Sequence, residues 1–300
     1  MFKPDFVKKG DKIAIVSTAR KIDIKEIREA VRLLKEWGLA PVIGSTIGSE
    51  NHQFAGTDQE RAVDFQKMLD DPDIKAIWCA RGGYGTIRII DLIDFSTFNK
   101  FPKWIIGYSD ITVFHSHVHN LDICTLHAPM PIDFHKSTLE AILSFKNTLF
   151  GNINDFEAAS SKKNRLGTAR GQLVGGNLSI LYSLCGSDAA INTSGKILCI
   201  EDLDEYLYHV DRMLYNLKRN GYFDHLSGLI VGGMTKMHDN AIPFGKKVKR
   251  IILDIVEEYD FPVAFKFPMG HIEDNYTLIL GAEAILEVDE DQTTLQYIKS

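Results

Sequence analysis

A serine at the end of an apolar segment is the first candidate for chemistry. In WIIGYSDIT (104–112), a β-rich apolar run ends at Gly107, and Ser109 precedes a stretch with helical character. A strand-to-helix turn exposes a serine hydroxyl above the edge of a sheet and directs the next backbone N–H, that of Asp110, into the same space. This is the geometry of a nucleophile elbow, although Ile111 replaces the second glycine of the G-x-S-x-G form. The alternative is that Ser109 caps a helix.

A glycine-rich segment, RGGYG (81–85), follows the apolar run AIWCA (76–80). Glycine permits positive φ and a close approach of the backbone, so this loop could direct N–H groups at an oxyanion. A phosphate loop is a second reading, but the segment lacks both G-x-G-x-x-G and the G-K-[ST] ending of a P-loop, which disfavours a nucleotide. A plain tight turn is the third reading, and the residues alone leave it open beside the oxyanion loop.

Five histidines crowd one stretch of the chain: His115, His117, His119, His127 and His135. A helix would place His115 and His119 on one face at i, i+4, as a pair of metal ligands requires. No H-E-x-x-H glutamate lies between them, and His117 points elsewhere. We therefore predict surface or hydrogen-bonded histidines rather than a metal site.

Two further candidates stand at predicted strand ends in the second half of the chain. Glu201 closes the apolar run KILCIE (196–201), and a carboxylate at the carboxyl end of a strand is well placed for a crevice. The alternative is an acid that satisfies a helix dipole. His271 lies in the turn-rich segment PMGHIEDN (268–275), where a lone histidine is more often exposed than catalytic. Ser109, Glu201 and His271 are 92 and 70 positions apart, so only the fold can bring them together.

Short apolar runs alternate with helical patterns in the first half. The apolar residues of DIKEIREAVRLLKEWG (23–38) recur at three- and four-residue steps and predict a helix, with Asp23 and Glu26 at its start and Gly38 at its exit. Thr57 and Glu60 have the same three-residue spacing and predict the start of a second helix. Predicted strands cover 13–17, 76–80, 104–107 and 123–126. This alternation indicates an α/β fold with a mostly parallel sheet and helices on both faces.

The length of 300 residues predicts two domains, at roughly 150 residues each. A polar stretch with neither helical nor strand periodicity separates the two halves of the chain, and we interpret it as an interdomain connection. The predicted division is an N-terminal domain over 1–152, a linker over 153–171 and a C-terminal domain over 172–300. The last contains predicted helices from about 176, around 205–219 and over 246–260, and strands at 196–201, 228–233, 262–266, 277–280 and 284–288.

Composition excludes several classes of protein. The chain has 34 Lys and Arg against 40 Asp and Glu, a net charge of −6, and no long basic run, which disfavours nucleic-acid and anionic-membrane partners. Its four cysteines form no C-x-x-C pair, so a zinc site and a disulfide framework are disfavoured. The first residues lack a signal-type apolar core, and no apolar run approaches the roughly 18 residues of a membrane span. We expect a cytoplasmic protein.

Taken together, eight segments resemble the LD-carboxypeptidases, the serine peptidases of murein recycling, whose relatives include microcin-immunity peptidases. The resemblance covers essentially the whole chain in the family's order. The segments are GDKIAIVSTA (10–19), ARGGYG (80–85), IIGYSDIT (105–112), TLHAPM (125–130), GGNLSILYSLCG (175–186), ILCIEDLDEYLYHVDRML (197–214), GLIVGGMT (228–235) and FPMGHIEDNYTLILGAEA (267–284).

The resemblance implies a Ser–His–Glu triad made of Ser109 as nucleophile, His271 as base and Glu201 as acid. It places an oxyanion hole on the backbone N–H groups of Asp110 and of one glycine of the 82–83 pair, for which we select Gly83. It further implies that Glu201 and His271 belong to a smaller, mixed α/β C-terminal domain and that the active site lies between the domains. A homodimer without metal or other cofactor is also implied.

The expected function is that of a cytoplasmic serine carboxypeptidase. It would cleave an L–D peptide bond and release the terminal D-alanine of a murein tetrapeptide through an acyl-enzyme. A free C-terminal carboxylate requires a cationic or N–H-rich pocket, and Arg81 is a candidate for it, with a plain surface arginine as the alternative. Two other hypotheses are a microcin-immunity-type peptidase acting on peptidyl-nucleotides with the same triad, and a muropeptide-binding protein without catalysis.

Overall fold

Two β-sheets with helices on their faces organise the chain, in a computed structural model that describes residues 1–153 and 155–298. The first sheet is mostly parallel, as predicted. In spatial order its strands are β11 (Leu278–Leu280), β5 (Thr125–His127), β4 (Trp104–Gly107), β3 (Ile74–Cys79), β1 (Lys12–Val16) and β2 (Ala40–Ile43). Strands β1 to β5 run parallel, and β11 pairs antiparallel with β5. The carboxyl ends of β3 and β4 therefore meet at one edge, which is where the 81–85 loop and Ser109 begin.

The helices of the first half are α1 (Arg28–Glu36), α2 (Asp58–Asp70), α3 (Ser96–Lys100), α4 (Thr112–His119) and α5 (Leu139–Leu149). The helix predicted over 23–38 begins only at Arg28; residues 24–27 form a turn, in which the N–H groups of Glu26 and Arg28 donate to carbonyls three residues back (2.9 and 3.4 Å). The capping box of Thr57 and Glu60 is confirmed at the start of α2. No helix among the described residues is long and apolar enough to cross a membrane.

The second sheet is mixed and has one strand more than the first. Its strands, in spatial order, are β10 (Val263–Phe265), β9 (Gly228–Thr235), β8 (Ile197–Leu203), β7 (Gly167–Asn177), β12 (Glu283–Val288), β13 (Gln292–Tyr297) and β6 (Phe156–Ala159). Its helices are α6 (Leu178–Leu184), α7 (Leu207–Arg219) and α8 (Val248–Ile255). Strands β7 to β10 run parallel, so the carboxyl ends of β7, β8 and β9 share one edge. Glu201 lies near that edge.

The segment predicted as a linker, 153–171, is partly sheet. It contains β6 and the first residues of β7, which pair antiparallel with β13 and β12. The inward-facing positions of this part of β7 include Ala169 and Gly171. Because these residues are small, the sequence shows no alternation of large apolar and polar residues that would predict a strand. Asn154, also within that predicted linker, lies outside the described residues. Strand β11 departs from the predicted division as well, because it belongs to the C-terminal segment but completes the first sheet.

An aromatic cluster fills the core between α5 and the first sheet. Phe145 of α5 is fully buried, with its ring centroid 4.8 Å from that of Trp78 and 6.0 Å from those of Trp37 and Phe134. Aromatic rings at such separations add to the free energy gained by burying their area. The cluster fixes α5 against the sheet that carries the serine.

We expect Phe145→Ala to lower the free energy of unfolding by about 3–5 kcal/mol, because a large buried ring leaves a cavity that its neighbours fill only in part. Denaturant unfolding followed by tryptophan fluorescence measures this loss. Leu143→Ala, on the same helix at a position 43% exposed, is the matched control and should change stability by about 0.5 kcal/mol or less. Equal losses in the two variants would contradict the assignment of this core.

Candidate active site

Ser109 occupies a strained turn between a strand and a helix. Strand β4 ends at Gly107, and Ser109 has a φ of +63°, followed by one turn of 3₁₀ helix and then α4. A non-glycine residue in this left-handed region costs about 1–2 kcal/mol, so the surrounding structure must impose the conformation. Among the described residues no backbone N–H donates to Ser109 Oγ, so the capping alternative is wrong. The turn has the form predicted for an elbow.

Glu201, which is buried, and His271, which is partly buried, form a hydrogen-bonded pair. His271 Nδ1 lies 2.7 Å from Glu201 Oε2, and the backbone N–H of His271 donates to the same oxygen at 3.1 Å. The glycine before the histidine permits this approach, since a Cβ at Gly270 would lie 2.4 Å from Glu201 Oε2. The fold thus joins two residues that are 70 positions apart.

The Glu201 carboxylate is fully buried and is nevertheless held ionised. Burial alone would raise its pKa, but the charge and hydrogen bond of His271, together with a bond from Asn177 Nδ2 (3.2 Å), hold the pKa below its usual value. The reverse holds for the histidine. Burial would lower the pKa of His271, yet the Glu201 carboxylate raises it above its ordinary value. The pair is therefore arranged to stabilise a proton on the imidazole.

Asn177 connects this pair to the rest of the second sheet. Its Nδ2 also donates to Asp202 Oδ1 at 3.0 Å, and its Oδ1 caps α6 by accepting from the N–H of Ile180 at 3.2 Å. Burial, followed by the charge of Glu201, raises the pKa of Asp202 to about 7. The backbone N–H of Asn177 donates to Thr112 Oγ1 at 2.9 Å, which links this sheet to the first turn of α4 beyond the serine.

The serine and the pair meet at one place in the fold. The ring of Tyr108, the residue before Ser109, packs on the His271 ring with centroids 4.8 Å apart. Within residues 1–153 and 155–298, no hydrogen bond joins Ser109 Oγ to His271. Hydrogen bonds between catalytic groups are often long or poorly aligned before a substrate binds. The three candidates predicted from remote positions therefore lie in the same region.

The 81–85 loop packs directly against the serine. A Cβ placed on Gly82 would lie 3.1 Å from Ser109 Oγ and 3.2 Å from the backbone nitrogen of Asp110. Gly83, the predicted oxyanion residue, has a φ of +111° and is covered by the side chain of Arg20. Among the described residues, the N–H groups of Gly83 and Asp110 donate to no backbone carbonyl. Both remain available to a ligand.

Arg61, which was not predicted from the sequence, fixes the 81–85 loop. It is fully buried on α2 and donates to the carbonyls of Thr18 and Gly85, while its other nitrogen pairs with Asp58. From the opposite side, Asp110 Oδ2 accepts the N–H of Thr86 at 2.8 Å. The signal in the sequence was an arginine on the apolar face of a helical pattern.

Arg81 is not a plain surface residue. It is half-buried, one guanidinium nitrogen donates to the carbonyl of Lys21 at 2.9 Å, and its Nε is buried without a partner among the described residues. Burial lowers the pKa of its guanidinium. The positive charge of this guanidinium, at the start of the 81–85 loop, favours an anionic group nearby.

The five histidines do not form a metal site. His115 is buried between Thr125 Oγ1 (2.8 Å) and the carbonyl of Gly107 (2.9 Å). His127 is also buried, without a partner among the described residues, and burial lowers its pKa to about 4. Over residues 1–153 and 155–298, no group of three or more His, Cys, Asp or Glu side chains is placed to hold a metal ion.

A cleft of about 780 Å³ lies against this region. Tyr108 and His271 line it, and charged side chains of both signs stand around it. They are Asp133, Lys136, Glu140, Lys236, Glu273 and Asp274. A polar ligand with several charged groups fits such a cleft better than an apolar one.

Comparison with known proteins identifies the family. Two family profiles match, the LD-carboxypeptidase N-terminal domain over 13–128 and the LD-carboxypeptidase C-terminal domain over 170–286. The probable murein peptide carboxypeptidase of Bacillus subtilis (strain 168) is 34% identical, over 98% of this chain and 94% of that protein. The microcin C7 self-immunity protein of Escherichia coli is 25% identical, over 97% of this chain and 95% of that protein.

A solved structure shares the whole architecture. The muramoyltetrapeptide carboxypeptidase from Oxalobacter formigenes superposes with a TM-score of 0.86 at 26% identity, over 96% of this chain and 99% of that one. The resemblance read from eight sequence segments is thereby confirmed, and with it the two-part α/β fold and the expectation of a carboxypeptidase. The chain belongs to the LD-carboxypeptidase family.

Proposed function

We propose that this protein is a serine carboxypeptidase that cleaves the L–D peptide bond of a murein tetrapeptide and releases its terminal D-alanine. The observation that carries the proposal is the Glu201–His271 hydrogen bond beside the strained turn of Ser109. The named relatives from Bacillus subtilis and Oxalobacter formigenes support the murein peptide as substrate. The terminal D-alanine is the finer part of the proposal, taken from the family resemblance.

In the proposed mechanism, His271 acts first as a base. Its Nε2 accepts the proton of Ser109 while Oγ attacks the carbonyl carbon of the scissile bond, since a neutral serine hydroxyl is a poor nucleophile. Glu201 accepts the hydrogen bond of Nδ1–H, which fixes the tautomer and stabilises the imidazolium that forms. The N–H groups of Gly83 and Asp110 are proposed to bind the oxyanion.

His271 then acts as an acid. It returns the proton to the departing amine, the C–N bond breaks, and D-alanine leaves while the tripeptide remains as an ester on Ser109. A water molecule that gives its proton to His271 attacks this ester, and the collapse of the second tetrahedral intermediate releases the tripeptide and restores the serine hydroxyl. Arg81 is proposed to bind the terminal carboxylate of the substrate through its guanidinium charge.

We also propose that the protein is a homodimer and lies in the cytoplasm, as the family resemblance implies.

The second candidate function is a microcin-immunity-type peptidase, supported by the 25% identical relative of that name. Both candidates use the same three residues and differ in the acyl and leaving groups. Incubation with a murein tetrapeptide and with a peptidyl-nucleotide analogue, followed by mass spectrometry of the products, separates them. Loss of one alanine from the tetrapeptide supports the carboxypeptidase.

Ser109→Ala should lower the turnover of that tetrapeptide by at least about 10³-fold, because no nucleophile remains. Ser109→Gly should be equally inactive but more stable than Ser109→Ala by about 1 kcal/mol, since glycine adopts the positive φ without strain. Activity assays and thermal unfolding of both variants test the two parts separately. Hydrolysis retained by the alanine variant would end the assignment of the nucleophile, and equal stability would contradict the strained turn.

Gly82→Ala should reduce kcat/KM by about 10²–10³-fold, the loss typical of an impaired oxyanion hole. The new methyl group would lie 3.1 Å from Ser109 Oγ, and Gly82 is not at positive φ, so the backbone itself tolerates alanine. The control is Gly186→Ala, at a φ of +83° with no atom within 4 Å. That control should cost about 1 kcal/mol of stability and leave kcat/KM unchanged. Unchanged kcat/KM in Gly82→Ala together with a lowered kcat/KM in Gly186→Ala would show that Gly82 does not belong to the site.

The pH profile of kcat/KM should rise to a plateau through the elevated pKa of His271, since only the neutral imidazole accepts the serine proton. In Glu201→Gln the charge that raises this pKa is gone, while burial still lowers it. The rising limb should therefore move to lower pH, and the plateau should fall by about 10³–10⁴-fold. A limb that stays in place in the variant would show that the titrating group is not His271.

A further inference from the structure

A second cavity, of about 890 Å³, lies beside the candidate cleft. It is formed at the carboxyl ends of β9 and β10 and at the first turn of α8. In sheets of this kind, ligands bind outside the carboxyl ends of the parallel strands. Ile272, the residue after the triad histidine, lines both cavities and stands between them.

The floor of this cavity is apolar. It is made of side chains from β9, β10, the segments that follow these two strands and the first residue of α7: Val231, Met234, Met237, Phe265, Phe267, Ile272 and Leu207. An apolar floor gains free energy by burying the apolar part of a ligand. The cavity is large enough for a ligand of nucleotide or fatty-acid size.

The rim of the cavity is cationic. Six basic residues line it, and no acidic residue does so among the described residues: Lys163, Lys246, Lys247, Lys249, Arg250 and Lys266. The chain as a whole carries a net charge of −6, so this concentration of positive charge is local. Such a charge distribution is complementary to an anion.

Most of this positive charge has no carboxylate partner. Lys246 and Arg250 share Asp254, with N···O distances of 2.6 Å. No carboxylate within the described ranges forms a salt bridge with the other four. Lys249 lies over the ring of Phe265 at 5.3 Å, and burial together with the charge of Lys266 lowers its pKa. The ammonium groups of Lys249 and Lys266, neither of which has a carboxylate partner among the described residues, therefore repel each other.

The first turn of α8 adds to this imbalance. It contains Lys249 and Arg250 but no acid, and the residue before it, Lys247, makes no side-chain cap. A helix start favours negative charge, so cations placed there oppose the helix dipole. An anion bound in the cavity would offset both the dipole and the repulsion between the lysines.

We propose that this cavity is a binding site for a small organic anion with an apolar body. The anionic head lies between Lys249 and Lys266, and the body packs on Phe265, Met234 and Met237. A nucleotide and a fatty acid share this chemistry and differ in the shape of the body. The site is distinct from the cleft at His271, and the proposal does not depend on the assignment of the triad.

Titration calorimetry on the full chain tests the proposal with three probes: decanoate, uridine monophosphate and the neutral analogue decanol. Binding of decanoate supports a fatty-acid-like body, and binding of the nucleotide supports an aromatic one. Decanol should bind at least 10-fold more weakly than the better anion. Equal affinity for decanol and for the better anion, or no binding of either anion, would overturn the proposal.

The double variant K249Q/K266Q should bind that anion at least 10-fold more weakly than the unmodified protein. The matched control K25Q/K67Q removes two exposed lysines elsewhere and should leave affinity within twofold. K266Q alone, at an exposed position, provides the same test if the double variant fails to fold. Unchanged affinity in the lysine variants would overturn the proposal.

Discussion

A carboxylate buried without access to water is the constraint around which the site is built. Glu201 sits at the end of β8 with no exposed surface, and an ion in that position is tolerated only when its oxygens are hydrogen-bonded or paired. His271 supplies two donors and Asn177 supplies a third. The requirement to compensate one charge thus fixes the histidine ring, the cap of α6 and the glycine that precedes the histidine.

The serine depends on a separate network in the first sheet. Its strained turn follows β4, and the loop that packs against it follows β3, so the two lie side by side because their strands are neighbours. Arg61 and Asp110 hold that loop through backbone carbonyl and N–H groups rather than through side chains of the loop itself. The loop can then be glycine-rich at its contact with Ser109 and still be fixed.

Strands with a continuous apolar run could be predicted from the sequence, whereas β2, β13 and strands built on small residues could not. The first part of β7 faces inward with Ala169 and Gly171, so its pairing in a sheet left no apolar signal. At the site, the residues alone left each candidate with a simpler alternative, and the resemblance selected among them. Arg61 and Asn177 were missed because their roles exist only through partners far away in the chain. Residue type shows that a side chain can hydrogen-bond but does not name its partner.

The segment that carries His271 has one end in each sheet. It leaves the second sheet at β10 and enters the first at β11, and Thr138 of the first half binds it through the Asp274 carboxylate at 2.8 Å. Glu201 belongs to the same sheet as β10, whereas Ser109 belongs to the other. The hydrogen bond between imidazole and carboxylate therefore joins this segment to the second sheet, whereas the approach of the imidazole to the serine hydroxyl depends on how the two sheets pack.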